Sequence, residues 1–486
     1  MKQLSSMDAQ FLMVETPTTT GHVGALVLLD PSTAPGGELT LEDFRDMVEA
    51  RLHLAAPLRE RVVEVPLGLG SPFWAEDPHF DLEFHVREVA LPAPGDDAQL
   101  AEQVARIHAR PLDRSRPLWE MYVIHGVDGD GAAVYVKFHH AAIDGISGAE
   151  ILATILDEDA VPRDVEAPER PWDPPALPDP VSLLVAGVAS TALRSGRLLT
   201  QLPTRLPYLA DLPGARNSPT ARLVSDLAGS LLSAVTGTPA SPPDSRLLAV
   251  PPTPFNGPIT AHRRFAYGSV DLAAVKRVKD AFGLTVNDVV MAMSTTALRR
   301  WLLDHDALPD IPLVAAVPVS VRSEGDTSIE GNLLSVMLTT LPTDLREPLE
   351  RLHAVAAAMS DAKEVFDGVP ASILQDFSAV IPTAFSGWAA RSLFRMASGA
   401  SRAFNLPISN VPGPQAQLYV AGARVTGMHP MSAVSDLTGG MNITLLSQNG
   451  SLDFGIVVCR EMVPDVWRVA GYLSDALDEL VALVDD

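Results

Sequence analysis

The hydrophobic pattern in the first third of the chain switches between the period of a strand and that of a helix. Residues 132–138 are apolar and rich in β-branched and aromatic side chains, which predicts a buried strand. Residues 119–124 form a similar stretch, and the Gly/Asp-rich residues 127–131 between the two predict a hairpin turn. Residues 96–110 carry apolar side chains at helical spacing and predict an amphipathic helix. We therefore expect strands and helices to be mixed in this part of the chain.

Two proline-rich stretches divide the 486 residues of the chain. A chain of this length is too long to fold around one ordinary hydrophobic core, so two domains of about 200 residues are expected. Prolines cluster in residues 161–180 and again in 239–258, a composition typical of semi-rigid linkers. We predict an N-terminal domain at 1–160, a linker with amphipathic crossover helices at 161–258 and a C-terminal domain at 259–486.

Charge and cysteine content limit the classes of partner. The formal net charge of −24 disfavours nucleic acid as a general partner. The single cysteine, Cys459, excludes an internal disulfide framework and lies in an apolar run, so a buried structural thiol is expected. No basic segment leads into an apolar run at the start, and the longest apolar stretch, 183–193, is too short to span a bilayer. We expect a cytoplasmic protein that is soluble or peripheral to a membrane.

Two adjacent histidines, His139 and His140, stand where the predicted strand 132–138 ends and before a helix that begins near Gly148. Adjacent side chains on an extended backbone point to opposite faces. One imidazole can therefore face a cavity while the other packs inward, and both are not expected to bind one ion or one substrate. Asp144 follows after the chain has turned, where its carboxylate can orient the loop.

Three other interpretations of this histidine pair stay open. A zinc site needs further ligands at short spacing, but no Cys-rich or His-rich cluster is nearby, so we predict no metal. Residues 145–149, GISGA, nearly match the nucleophile elbow of serine hydrolases, with Ser147 as nucleophile, but they lack the second glycine. The histidines could also simply end the strand as structural residues.

Residues 139–145, HHAAIDG, resemble the HHxxxDG signature of the CoA-dependent acyltransferase superfamily. Four other stretches are similar to the bacterial wax ester synthase/diacylglycerol acyltransferase family and follow its order: the opening 4–17, RPLWE at 116–120, the Asn-Asp pair at 287–288, and ISNVPGP at 408–414. The resemblance runs from residue 4 to about residue 480.

The resemblance implies an α/β fold of two chloramphenicol-acetyltransferase-like domains with a central channel between them. It implies His140 as general base and His139 as a structural or pocket-shaping residue. Asp144 and Gly145 complete the signature, and Arg322 is a candidate cation for Asp144. The implied activity is transfer of a long-chain acyl group from acyl-CoA, a co-substrate rather than a permanently bound cofactor, to diacylglycerol or a fatty alcohol.

Further residues are assigned to the substrate channel by the same resemblance, and each has a simpler interpretation. Trp119 is more often a core residue, and Asn287 and Asp288 suit a helix cap. Ser409 and Asn410 could end a strand, and Glu15 could be a helix-end carboxylate rather than a polar wall of the site. For the CoA phosphates, charge alone suggests residues that could equally lie on a solvated surface: Arg263, Arg264 and Lys276.

Residues 194–222 carry five arginines and one acidic residue, a net charge of +4, interleaved with leucines. Such a segment can lie in a membrane interface, but it could also be a crossover between two domains. Residues 380–405 combine aromatic residues with arginines in the same way. We expect peripheral contact with the inner membrane or lipid droplets. A serine hydrolase and a catalytically silent lipid-binding protein remain the alternatives.

Overall fold

The computed structural model describes most of the chain: residues 1–68, 70–143, 154–168, 172–190, 250–320, 334–367 and 403–485. The residues before 191 form five α-helices and seven strands within these ranges. The helices are α1 (Ser6–Met13), α2 (Leu41–Arg51), α3 (Leu82–His85), α4 (Asp97–His108) and α5 (Pro180–Ser190). The strands are β1 (Lys2–Gln3), β2 (His22–Asp30), β3 (Glu60–Val63), β4 (Phe73–Glu76), β5 (Val86–Ala90), β6 (Trp119–Val127) and β7 (Gly131–His139).

The described residues from 250 onward form four further helices and eight strands. The helices are α6 (Leu272–Phe282), α7 (Val286–Asp304), α8 (Pro348–Asp367) and α9 (Val466–Asp485). The strands are β8 (Arg263–Asp271), β9 (Leu313–Ser320), β10 (Leu334–Leu341), β11 (Leu406–Pro412), β12 (Tyr419–Val420), β13 (Ala423–Met431), β14 (Met441–Gln448) and β15 (Ser451–Cys459).

Two six-stranded mixed sheets organise the described part of the chain. The first has the order β12-β13-β2-β7-β6-β5, and the second has the order β10-β9-β11-β14-β15-β8. The predicted hairpin is confirmed: β6 and β7 are antiparallel, and the turn between them places Asp128 and Gly129 at positive φ. The α/β class is therefore confirmed, while the channel between two domains stays a prediction.

The first sheet is not built from the N-terminal residues alone. Strand β13 pairs with β2 in antiparallel register from Arg424 opposite Asp30 to Met431 opposite Gly24. Residues 419–431 therefore lie in the N-terminal sheet, which the predicted boundary at residue 259 did not anticipate. This pairing could not be predicted from the sequence, because the hydrophobic pattern of a strand does not indicate which other strand pairs with it.

Helix α4 packs between the two halves and joins their cores. Its apolar residues, among them Leu100 and Val104, share a buried cluster with Phe265 of β8. At its first residue the Asp97 carboxylate accepts a hydrogen bond from the Tyr267 hydroxyl at 2.6 Å. The predicted amphipathic helix is thus confirmed, and it faces the second sheet as well as the first.

No single helix among the described residues has the length and apolar character needed to cross a bilayer. Helices α6 and α7 reach that threshold only when taken together, and they meet at an angle of 104°. Helix α7 is mostly buried inside the C-terminal core.

Candidate active site

Strand β7 carries the histidine pair to the end of the first sheet. His139 is the last residue of β7 and lies opposite His22 of β2. A 3₁₀ turn, His140–Ile143, follows at once. The His140 amide donates to the Gly21 carbonyl at 2.8 Å, which closes the chain onto the residue preceding β2. The sequence placed these histidines at a strand end, and the structure has them there.

The two imidazoles occupy different surroundings. His139 is 1% exposed, whereas His140 is half-buried. The His140 ring stacks on Phe11 of α1, with ring centroids 4.1 Å apart and an interplanar angle of 17°. His140 is therefore the more exposed of the two histidines.

The buried ring of His139 has a protein group close to each of its nitrogens. The Ala141 amide donates to Nδ1 at 3.1 Å, so the proton of the neutral ring resides on Nε2. That nitrogen lies 3.2 Å from Oε1 of Glu15, although the alignment is not that of a regular hydrogen bond. His139 is thereby fixed in one tautomer and one orientation.

Glu15, just beyond α1, is the carboxylate at the centre of the site. Its Oε1 accepts from the Gly21 amide at 2.7 Å, and its Oε2 accepts from the Arg114 guanidinium at 2.8 Å. Burial disfavours the charged form, but His139, the Gly21 amide and Arg114 together outweigh it and lower the pKa of Glu15 to about 2. Glu15 is therefore ionised at working pH, as a polar residue of the site rather than a plain helix end.

Gly21 leaves no room for a side chain beside this carboxylate. A Cβ at residue 21 would lie 2.9 Å from His139 Nε2, closer than a Cβ contact is found. Gly21, Arg114 and Phe11 were not identified from the sequence as site residues. Their roles depend on contacts across the fold, and no local pattern marks them.

A second polar layer lies beneath His139. The His22 ring donates from Nδ1 to the His108 carbonyl at 3.2 Å and accepts the Leu112 amide at Nε2 at 3.4 Å. Burial, together with the positive charge of Lys137, lowers the pKa of His22 to about 3 against the opposing charge of Glu15. His22 is thus a neutral structural histidine.

Lys137, two residues before His139 on the same face of β7, is fully buried. Its ammonium donates to the Ile107 and Arg110 carbonyls at 3.1 and 2.9 Å and lies 3.4 Å from the Glu120 carboxylate. Burial lowers its pKa to about 8, with Glu120 opposing the shift. Through these hydrogen bonds, Lys137 connects strand β7 to the C-terminal end of helix α4.

Trp119 is buried in the core beside the first sheet. It is 0% exposed, and its indole donates to the Leu58 carbonyl at 3.0 Å. It lies opposite Phe138 in the hairpin and stacks on His85 at 4.3 Å. Because Phe138 and His139 are adjacent on a strand, Trp119 packs on the face away from the His139 ring.

The Asn287–Asp288 pair begins helix α7. Asp288 forms a capping box with Thr285: its carboxylate accepts from the Thr285 amide at 2.9 Å, and its amide donates to the Thr285 hydroxyl at 3.2 Å. Asn287 is half-buried in the first turn. The structure thus gives Asp288 the structural role that was the alternative to a channel residue.

Ser409 and Asn410 are strand residues. Both lie within β11, half-buried, where Ser409 is in register with Thr444 and Asn410 with Leu445 of the parallel strand β14. The family motif therefore forms the end of a strand, and Pro412 is its last residue.

The three cations suggested for the CoA phosphates differ in position. Arg263 is 7% exposed, and its guanidinium donates to backbone carbonyls, including that of Thr18; its assignment to the phosphates stays a prediction. Arg264 is half-buried and donates to the Pro464 carbonyl. Lys276 is exposed on α6. Cys459 is buried, as expected.

Several predicted features lie outside the described residues. They are Asp144, Gly145, Ser147, Arg322, segment 194–222 and residues 380–402 of the second basic segment. Within the described ranges, no group of three or more histidine, cysteine, aspartate or glutamate residues could hold a metal ion.

Comparison with known families shows to which family this chain belongs. The wax ester synthase/diacylglycerol acyltransferase catalytic domain matches residues 4–290, which include Glu15 and both histidines of the site. The chain belongs to the wax ester synthase/diacylglycerol acyltransferase family. The C-terminal domain of the same family matches residues 330–481.

Relatives and solved structures agree with this family. A Mycobacterium tuberculosis protein named as a diacylglycerol O-acyltransferase is 38% identical over 487 residues, covering 100% of this chain and 91% of that protein. Another from the same species is 34% identical and covers 97% of each chain. The wax ester synthase/diacylglycerol acyltransferase of Marinobacter aquaeolei VT8 superposes with a TM-score of 0.71 at 30% identity, covering 100% of both chains.

A more distant likeness concerns the fold alone. The first condensation domain of the calcium-dependent antibiotic synthetase has a TM-score of 0.54 at 15% identity, covering 100% of this chain and 98% of that one. The chain is an acyltransferase of the wax ester synthase/diacylglycerol acyltransferase family, and the hydrolase and the silent binding protein are not favoured.

Proposed function

We propose that this acyltransferase moves a long-chain acyl group from acyl-CoA to the hydroxyl of a lipid alcohol, either diacylglycerol or a fatty alcohol. The names of its relatives support this substrate class, since they are diacylglycerol O-acyltransferases and a wax ester synthase. Acyl-CoA enters as co-substrate, with no permanently bound cofactor.

The observation that carries the proposal is the unequal placement of the two histidines. His139 is buried, with a hydrogen bond at Nδ1 and the Glu15 carboxylate 3.2 Å from Nε2, whereas the half-buried ring of His140 lies on Phe11 at the end of the sheet. Neutral imidazole suits proton transfer near neutral pH because its unperturbed pKa is about 6.5. His140 is accordingly the general base.

The reaction then proceeds by direct attack. His140 takes the proton of the acceptor hydroxyl while its oxygen attacks the thioester carbonyl, and a tetrahedral intermediate forms. Collapse of the intermediate forms the ester and expels CoA thiolate, which receives the proton from His140. No acyl-enzyme is needed, and Cys459, at the end of β15, is buried away from solvent.

The test measures CoA release from palmitoyl-CoA alone, with dioleoylglycerol and with hexadecanol. We expect acceptor-dependent release that falls about a hundred- to ten-thousand-fold in His140→Ala, the usual contribution of a general base. The matched control is His125→Ala, which removes a histidine of strand β6 that pairs with Glu88 of strand β5. Near-normal turnover by His140→Ala would refute the assignment.

The same assay separates the alternatives. Acceptor-independent release that is lost in Ser147→Ala would indicate a hydrolase. Absence of release with either alcohol would favour a lipid-binding protein without turnover, or an acceptor of another class.

We also propose that the enzyme is cytoplasmic and peripheral to the inner membrane or to lipid droplets. The net charge of +4 in residues 194–222 supports contact with anionic headgroups. Helix α5 ends shortly before this basic segment and has no charged residue. It exposes Val181, Val185 and Val188, which are 69, 64 and 48% exposed. These valines are spaced as neighbours on one helical face.

Co-sedimentation with anionic liposomes tests this contact. The double variant Val181→Asn/Val185→Asn should bind several-fold less than the wild type. The control Val336→Asn changes a valine on β10 that is 46% exposed and should bind normally. Equal binding by all three proteins would contradict a role for α5.

A further inference from the structure

The Glu15 carboxylate is connected to the turn that carries His140 through Gly21. Glu15 Oε1 accepts from the Gly21 amide at 2.7 Å, and the Gly21 carbonyl accepts from the His140 amide at 2.8 Å. Gly21 therefore forms hydrogen bonds on both sides: its amide binds the Glu15 carboxylate, and its carbonyl binds the backbone amide of His140. If Gly21 moves, the His140 backbone is therefore expected to move with it.

A second connection runs through His139. Its Nε2 lies 3.2 Å from Glu15 Oε1, and its Nδ1 accepts from the Ala141 amide at 3.1 Å. Ala141 directly follows His140 in the 3₁₀ turn His140–Ile143. The orientation of the His139 ring therefore helps to fix the position of the Ala141 backbone, directly after His140.

A third connection reaches the ring of His140. The Arg114 guanidinium that binds Glu15 Oε2 also donates to the Leu12 carbonyl near the end of α1. Phe11, on the same turn of α1, stacks on the His140 imidazole at 4.1 Å. The helix that supports the base is thereby fixed to the same carboxylate.

We propose that Glu15 is a positioning residue of the acyl-transfer reaction, holding the His140 backbone through Gly21 and His139 and the His140 ring through Arg114 and Phe11. The inference rests on the proposed function, because it presumes that His140 is the base. A carboxylate suits this role since its two oxygens can serve several donors at once. Glu15 does not itself touch substrate in this account.

The competing role for Glu15 is a polar wall that contacts substrate. Its side chain is 13% exposed, and both of its oxygens are already engaged by protein groups. A wall residue would chiefly affect KM, whereas a positioning residue affects kcat with little change in KM. Kinetics therefore separate the two roles.

The experiment measures kcat and KM for both substrates in Glu15→Gln and Glu15→Ala. The amide of glutamine keeps the size of the side chain but has one acceptor oxygen, so it cannot serve Gly21, His139 and Arg114 together. Since misplacement of a catalytic group by about 1 Å can cost a hundredfold, we expect kcat to fall about tenfold or more in Glu15→Gln. Glu15→Ala should be lower still, with KM within about twofold throughout.

The matched control is Glu64→Gln. Glu64 lies 3.6 Å from the other end of the Arg114 guanidinium and is 70% exposed, and wild-type kinetics are expected for it. Wild-type kcat in Glu15→Gln would overturn the proposal, as would a raised KM at unchanged kcat. If Glu15→Ala fails to fold, the isosteric glutamine variant decides alone.

His140→Ala belongs in the same series. An inactive His140→Ala beside normal Glu15 variants would overturn the positioning role and leave the proposed function intact. Full turnover by His140→Ala would overturn both, because there would be no base to position.

Discussion

Acid should remove a defined part of the stability of this enzyme by protonating Glu15. The folded state lowers the pKa of this carboxyl from its ordinary 4.5 to about 2, because His139, the Gly21 amide and Arg114 outweigh the cost of burial. A carboxyl whose folded pKa is depressed stabilises the protein above its unfolded pKa, and this stability is lost as the pH falls through the folded pKa. The stability that Glu15 contributes is therefore lost mainly between pH 4.5 and about pH 2.

The size of the effect follows from the shift. A depression of roughly 2.5 pKa units corresponds to about 3 kcal/mol of unfolding free energy at neutral pH. Solvent screening reduces this figure little, because the Glu15 side chain is only 13% exposed. Roughly 2 kcal/mol of it should already be lost at about pH 3, where the unfolded state binds nearly one proton more than the folded state.

Glu15→Gln isolates this contribution because glutamine does not titrate. Urea unfolding followed by tryptophan fluorescence, from about pH 7 to about pH 3, gives the unfolding free energy of both proteins. The advantage of the wild type over the variant should shrink by about 2 kcal/mol across this range. A constant difference at all pH values would show that folding does not lower the pKa of Glu15.

Three further changes test single contacts. Gly21→Ala should lower both turnover and stability, the latter by about 1–3 kcal/mol, because its Cβ would press on His139 Nε2; normal kinetics and thermal unfolding would contradict this. Asp288→Ala should cost about 1 kcal/mol of unfolding free energy through loss of the capping box, and a fall in turnover without that cost would indicate a site role. Arg51→Met should cost about 3 kcal/mol because it removes the 2.7 Å partner of the buried Asp157 carboxylate and leaves only the longer contact with Arg163 at 3.6 Å. The double variant that also replaces Asp157 with leucine should recover much of that loss, which denaturant unfolding would measure.

Local sequence determined the elements that carry the histidines. The apolar run 132–138, the Gly/Asp turn before it and the helical spacing in 96–110 predicted β7, the hairpin and α4, because near-neighbour periodicity reports which face of an element is buried. The same reasoning separated His139 from His140, since side chains alternate on a strand. Motif resemblance along the whole chain then indicated the family.

The residues that surround the base come together through the tertiary fold. Glu15 and Arg114 are 99 residues apart in sequence, and neither position has a local pattern that marks the other as its partner. Strand β13 likewise joins the first sheet from the far end of the chain, and Arg263 turns inward to backbone carbonyls although its charge suggested a phosphate ligand. Periodicity specifies which face of an element is buried. Which residues lie across that face depends on how distant elements pack, and on which buried polar groups need a hydrogen-bond partner where water is excluded.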